Sequence, residues 1–342
     1  MRKSLTYKIL AAVLAAGSLG LYAATPVAAA DDYTVNKDGE IISSGNFDNV
    51  YGNGHSFTIT GCTIGNVYGA GNGNYYEDAS GGNVTINGNA KVTGVVHGGR
   101  SISGEAYNNT VNISGGSVTN NVFGGYSENS VAHHNIVNIS GGSVTGNVFG
   151  GDSGNSVAHH NIISISGGSV TGDVYGGFAY GSANDNKIII SGSADIENAN
   201  LYGSNKTNDT GNTLTIDGWS GTAQSVVGFN DIAFKNIAWN DEEPVLRIRR
   251  GDLTNTKIKT INIAGGSNIN VGDKMTLIDG NIGSIGDVTD TFTAGVAREG
   301  LGSSSVDTTT GEVSFKVNSI KLSSQAVSAA QTRAASAAFV NQ

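Results

Sequence analysis

Residues 111–136 read V-N-I-S-G-G-S-V-T-N-N-V-F-G-G-Y-S-E-N-S-V-A-H-H-N-I, and residues 137–162 read V-N-I-S-G-G-S-V-T-G-N-V-F-G-G-D-S-G-N-S-V-A-H-H-N-I. The two copies match at 23 of 26 positions and differ only at 120/146, 126/152 and 128/154. Looser copies begin upstream at Phe57 and Val84 and downstream at Ile163 and Ile188, so the period is 25 to 29 residues. A period of this size belongs to a solenoid or array. The content of each copy selects among these. Val111 and Ile113 alternate with Asn112 and Ser114 in a period of two, the spacing of an extended strand. Val118 to Phe123 forms a second short extended run, and Gly115-Gly116 and Gly124-Gly125 read as punctuation between runs. No 3.6-residue period is present and leucine is scarce, which sets helical and leucine-rich repeats aside. The sequence therefore predicts an all-β fold: a single-stranded, right-handed parallel β-helix with one coil per repeat.

Stacking supplies the stability of such a fold. Each coil lies about 4.8 Å above the last, so equivalent residues form ladders. Val96, Val122, Val148, Val174 and Leu201 are expected to make one apolar column. Ile86, Ile113, Ile139 and Ile165 make a second, and Asn112 and Asn138 an outward polar ladder. One coil cannot bury its own face, so stability belongs to the stack.

Composition agrees. Glycine supplies 51 of 342 residues and asparagine 38, while charged residues are only 14%, against about 25% in ordinary domains. Both abundant residues are poor in helix interiors. Collagen is excluded, because proline occurs twice and no Gly-X-Y period exists. The net charge is −9, and −12 once the first 30 residues, with three bases and no acid, are set aside. Lys91 and Arg100 are the only bases between Lys37 and Lys187. A nucleic-acid binder needs a basic face, so nucleic acid and anionic lipid are not expected partners. The single Cys62 has no intramolecular partner and reads as a small core hydrophobe.

The chain divides into four parts. Residues 1–30 read as a secretory signal: Arg2, Lys3 and Lys8, then apolar Ile9 to Leu21, then Ala28-Ala29-Ala30. Residues 31–204 are the repeat β-helix. Residues 205–323 are C-terminal coils and a cap, rich in aromatics and bases, in which V-L-R-I-R, K-I-K-T-I-N-I and K-M-T-L-I-D continue the strand pattern. Residues 324–342 are alanine-rich, the one good helix candidate after the signal.

These features together resemble the passenger domains of bacterial autotransporters, the type V secreted surface proteins. The resemblance rests on the export signal, the V-F-G-G and I-S-G-G-S-V-T-G repeats, N-V-G-D-K-M-T-L-I-D at Asn270 to Asp279, and the terminal A-A-Q-T-R-A-A-S-A-A-F-V-N-Q. It spans nearly the whole chain. It implies an exported cell-surface protein of a Gram-negative-type bacterium, held at the outer membrane or secreted, with residues 324–342 opening the linker helix toward a translocating barrel. That barrel's alternating strands do not follow Gln342, so the resemblance implies a barrel partner outside this sequence. The function it implies is non-catalytic: adhesion to a host-cell surface protein or glycan, or association with a neighbouring copy.

Several residue sets could carry chemistry. His133-His134 and His159-His160 lie one period apart and bring four imidazoles within several Å, a set of zinc ligands in type. No metal is expected, because no carboxylate accompanies both copies and adjacent histidines of a strand point in different directions. Tyr51, Tyr68, His97, Phe123, Phe149, Tyr175 and Tyr202 each follow the valine column by one residue. With the valines inward this ladder points outward, either as a structural stack that closes the turn or as a stripe for sugar rings or another protein. Arg250-Gly251-Asp252 is the tripeptide read by host integrins in other adhesins, and its place between strand-like runs predicts an exposed turn. Gly151-Asp152-Ser153-Gly154 matches the nucleophile motif of chymotrypsin-like proteases, yet the same place one repeat earlier holds Gly125-Tyr126-Ser127-Glu128, so it reads as a repeat variant. The calcium nonapeptide and the phosphate loop are absent, and Glu128, Asp152 and Asp173 do not recur in one column. No catalytic residue and no cofactor is expected; the alternatives to adhesion are a polysaccharide lyase or hydrolase on a β-helix, and a plain surface spacer.

Overall fold

The computed structural model of the chain describes residues 30–71 and 76–340, with side chains to residue 333. The expected signal segment lies, apart from Ala30, outside the described residues. The rest is nearly all β in class, 56% strand, wound into a parallel β-solenoid of about eight turns with one short C-terminal helix.

A middle coil is built from three strands that make four sides. Thr110–Val118 forms the first and second sides, bent where Gly116 takes φ +71°. Val122–Ser127 forms the next side, and Ala132–His133 a short last one. Each pairs in parallel with its equivalent one coil on, as in Val111↔Val137, Val122↔Val148 and Ala132↔Ala158. Outside the middle the last side disappears. Its short strands span only Ala79–Ser80 to Ala183–Asn184, and the step shortens to 17 residues from Val50 to Val67 and 18 from Ile216 to Phe234.

The predicted columns stand. Val67, Val96, Val122, Val148, Val174, Leu201 and Val226 are stacked and fully buried. So are Ile59, Ile86, Ile113, Ile139, Ile165, Ile190 and Ile216. Each such side chain contributes roughly 1.5–3 kcal/mol by leaving water. Cys62 belongs to this core, where its thiol donates to the Ile42 carbonyl at 3.3 Å and burial raises its pKa.

The V-F-G-G glycines differ from their expected role. Gly124 and Gly125 lie inside the Val122–Ser127 strand and mark no turn. A Cβ on Gly124 would stand 2.4 Å from the Gly150 carbonyl oxygen, and one on Gly125 would stand 2.3 Å from the Asn135 amide nitrogen. The pair is glycine because the next rung and a buried asparagine occupy the space a side chain would need.

At the C-terminal end the chain leaves the coil. Arg298–Asp307 and Glu312–Leu322 form an antiparallel hairpin that also pairs with Thr291–Ala294 and Lys274–Gly280. The hairpin covers strand edges that would otherwise stay open. The alanine-rich segment is a helix, α1 (Ser324–Val340). Ser323 caps it, its hydroxyl accepting the Ala326 N–H at 3.2 Å.

Candidate functional site

Three ladders run along the middle coils beside the apolar columns. The aromatic one is continuous. Centroids of Tyr51, Tyr68, His97, Phe123, Phe149, Tyr175 and Tyr202 follow at 5.3, 5.5, 4.6, 4.9, 5.1 and 4.7 Å, with planes within 11° of parallel. The valines point inward and these rings outward, as parity required. They do not form an open stripe. Each ring covers its neighbour's face, Tyr126 and Phe178 stand edge-on against the stack, and His97, Phe123 and Phe149 are only 6–8% exposed. Binding a sugar ring needs a free aromatic face, so the middle of this column is a structural stack. Beyond Tyr202 the next rung offers Val227 instead of a ring. A cavity of about 230 Å³ opens there, lined by Tyr175, Phe178, Tyr202, Asn205, Lys206 and Val227 among others. Burial, followed by the Arg100 charge, drives the His97 imidazole down to about 3, and its Nδ1 has no hydrogen-bond partner among the described residues.

The second ladder is buried and was not anticipated. Asn109, Asn135, Asn161, Asn186 and Asn212 are at most 1% exposed. Asn135 Nδ2 donates to the Ala106 carbonyl at 2.9 Å and to Asn161 Oδ1 at 3.1 Å, and Asn161 Oδ1 also accepts the Asn135 N–H at 3.0 Å. The same set recurs from Asn109 to Asn135 and from Asn161 to Asn186. Burying an amide without partners is costly; here each finds its partners in the adjacent rungs. A signal did exist in the sequence. The residue before each asparagine is Asn108, His134, His160, Asp185 or Gly211, all at positive φ between 53° and 76°, and Asn, His, Asp and Gly are the types that tolerate this region.

That turn changes the reading of the histidines. Strand alternation would separate the side chains of His133 and His134. His134 and His160 instead adopt φ 54° and 55°, which rotates each back toward its predecessor. The Nδ1 atoms of His133 and His134 come to 2.7 Å, and those of His159 and His160 to 2.8 Å. The rings then stack between coils, His133 on His159 and His134 on His160, each at 5.1 Å. Tyr107 extends the first stack at 5.2 Å, and Glu105 Oε2 lies 3.2 Å from His133 Nε2. Glu105 meets the first pair, and the Asp185 charge acts on His159 of the second. Among the described residues no three His, Cys, Asp or Glu side chains already converge as metal ligands. Desolvation, then the neighbouring imidazolium charges, hold His134 and His159 below the ordinary imidazole value.

Arg250-Gly251-Asp252 is not on a turn. It ends the strand Leu246–Asp252, paired with Ser225, Val226 and Val227. Arg250 and Asp252 are exposed. Asp252 accepts from the Thr254 N–H at 3.1 Å and the Thr254 hydroxyl at 2.7 Å, bonds that lower its pKa. The tripeptide is thus held extended by its neighbours. Ser153 is fully buried, donates to the Ser130 carbonyl at 2.7 Å and accepts the Ser156 N–H at 3.0 Å. Ser127 does the same one coil earlier.

A cavity of about 570 Å³ lies beside the C-terminal hairpin, lined by Lys259, Thr291, Phe292, Glu299, Leu301 and Lys321 among others. Glu299 is its one carboxylate and pairs with Lys321 at 3.3 Å. Among the described residues no helix is long and apolar enough to cross a membrane. Comparison with protein-family models, curated proteins and solved structures finds no match for this chain.

Proposed function

We propose that the chain is an exported, surface-displayed passenger of the autotransporter type, without catalysis, whose long sides mediate adhesion to a host-cell glycan or protein or association with another copy. The observation that carries this reading is the repetition of outward polar groups in register along the rod. Asn138 donates to Asn112 at 2.9 Å, Asn155 to Asn129 at 2.8 Å, and the Thr145 hydroxyl to the Thr119 carbonyl at 3.1 Å. Such faces are long and periodic, a form suited to contact with an extended partner. Glycoside hydrolysis ordinarily uses two facing carboxylates, and the cavity beside the C-terminal hairpin holds Glu299 alone. This favours binding over a polysaccharide-cleaving activity.

The purified chain, coated on beads, is expected to adhere to epithelial cells or to a glycan array, or to sediment as an oligomer in analytical ultracentrifugation. A monomer that leaves beads non-adherent, or the release of reducing ends from a polysaccharide panel, would overturn the proposal.

A further inference from the structure

The histidine pairs occur in two coils only. The same turn holds Tyr107-Asn108 in the coil before and Asn184-Asp185 in the coil after, at φ 53° for Asn108 and 56° for Asp185. The backbone therefore asks only for a residue tolerant of positive φ at the second position. Two consecutive histidines exceed that demand, and they place four imidazoles together.

Their chemistry is specific. With neutral rings, His133 Nε2–H faces the Glu105 carboxylate, which leaves His133 Nδ1 as an acceptor for His134 Nδ1–H. The 2.7 and 2.8 Å separations are therefore hydrogen bonds with one proton between two nitrogens. A divalent ion can stand where that proton stands. Metal–imidazole bonds of about 2.0–2.1 Å at a tetrahedral angle separate the two nitrogens by about 3.3 Å. Opening each pair by about half an Å, a small side-chain rotation, meets this. The displaced proton moves to His134 Nε2, so the ring stays neutral. Two imidazole nitrogens select nitrogen-preferring ions over calcium or magnesium.

We propose that His133, His134, His159 and His160 form a binding site for a divalent late transition ion of the zinc, nickel or copper type. Each coil contributes one bidentate Nδ1 pair. The other pair, one rung away, or water completes the coordination. The rungs above and below hold Tyr107 and Asn184; Glu105 lies against His133 and the Asp185 charge acts on His159.

The test is calorimetric titration of the purified chain with zinc chloride and, separately, nickel chloride. Saturable binding of one or two ions per chain is expected. His134→Asn with His160→Asn, borrowing the residue of the preceding turn, should weaken it at least tenfold. His133→Tyr with His159→Asn, borrowing Tyr107 and Asn184, should do the same. Circular dichroism melting checks that both variants stay folded, and should one unfold, the other decides. Absence of saturable binding by the parent chain at about 1 mM of either ion, or undiminished affinity in a folded variant, would overturn the proposal.

Discussion

The middle coils and the C-terminal end solve the same problem by opposite means. From Thr110 to Ala179 most residues meet the same residue type one rung away, so a charge carried in every copy would face a like charge. The stack answers with neutral groups: valine and isoleucine inside, asparagine at the buried turn, asparagine and threonine outside. Lys and Arg ion pairs gather from Glu197 onward, where successive rungs stop matching. Arg247 meets Glu243 and Asp279, Arg249 meets Glu197, Lys259 meets Asp231, and Lys274 meets Glu312. Low charge is thus a condition of exact repetition, and charge returns where the chain caps itself with a hairpin.

The sharpest way to break the middle is Asn161→Ala. It strips the Ala132 carbonyl of its donor and leaves the Asn135 N–H and amide without their shared acceptor. Buried groups stranded in this way should cost about 4 kcal/mol in total, read as a fall in the urea midpoint. Gly150→Ala comes next. Its new Cβ would sit 2.4 Å from the Gly176 carbonyl oxygen, and the overpacking should cost about 2–3 kcal/mol in the same assay.

Two ionisable groups inside the neutral stack give opposite pH dependences. Asp152, stacked between Tyr126 and Phe178, is pushed up to about 7 by desolvation. Between about pH 4 and 7 the native state then holds more protons than the unfolded chain, so this group's contribution falls as pH rises. Asp152→Asn should raise stability at pH 7.5 by about 2 kcal/mol and leave it unchanged near pH 3.5. His97, pushed down to about 3, works the other way. The unfolded chain holds the extra proton between about pH 3 and 6.5, and stability is lost as pH falls through that range. His97→Phe, continuing the stack of Phe123, should add about 1–2 kcal/mol at pH 4.5 and less at pH 7.5. Melting curves of the two variants at both pH values check the crossing.

The smallest effect belongs to the end. Arg247 approaches Glu243 at 3.0 Å and Asp279 at 3.4 Å, yet its side chain is about half exposed. Arg247→Ala should cost less than about 1 kcal/mol. The loss should vanish in about 0.5 M salt, whereas the Asn161→Ala loss should persist.

Much of the architecture was legible because the repeat carries its own register. Once residues 111–136 and 137–162 are aligned, Val122 must lie beneath Val148, and alternation fixes which side chains point inward. The misreadings share one cause. Gly124-Gly125 looked like a turn because glycine favours turns, while its reason is a carbonyl and an amide arriving from other rungs. Asn135 and Asn138 are the same residue three positions apart, one buried and one outward, and composition cannot separate them. The histidine pair was judged by strand alternation, which stops at the first residue of positive φ. Arg250-Gly251-Asp252 was placed on a turn because no neighbour was visible to hold it extended.

By itself the sequence determined the period, the inward columns and the sites of the helix and the charged end, since these follow from alternation and from copies stacking on copies. The tertiary structure alone decided which glycines make room, which asparagines are buried, and how completely the aromatic rings cover one another's faces. Each of these depends on atoms about 26 residues apart in the chain and about 5 Å apart in space, a relation that local propensity does not encode.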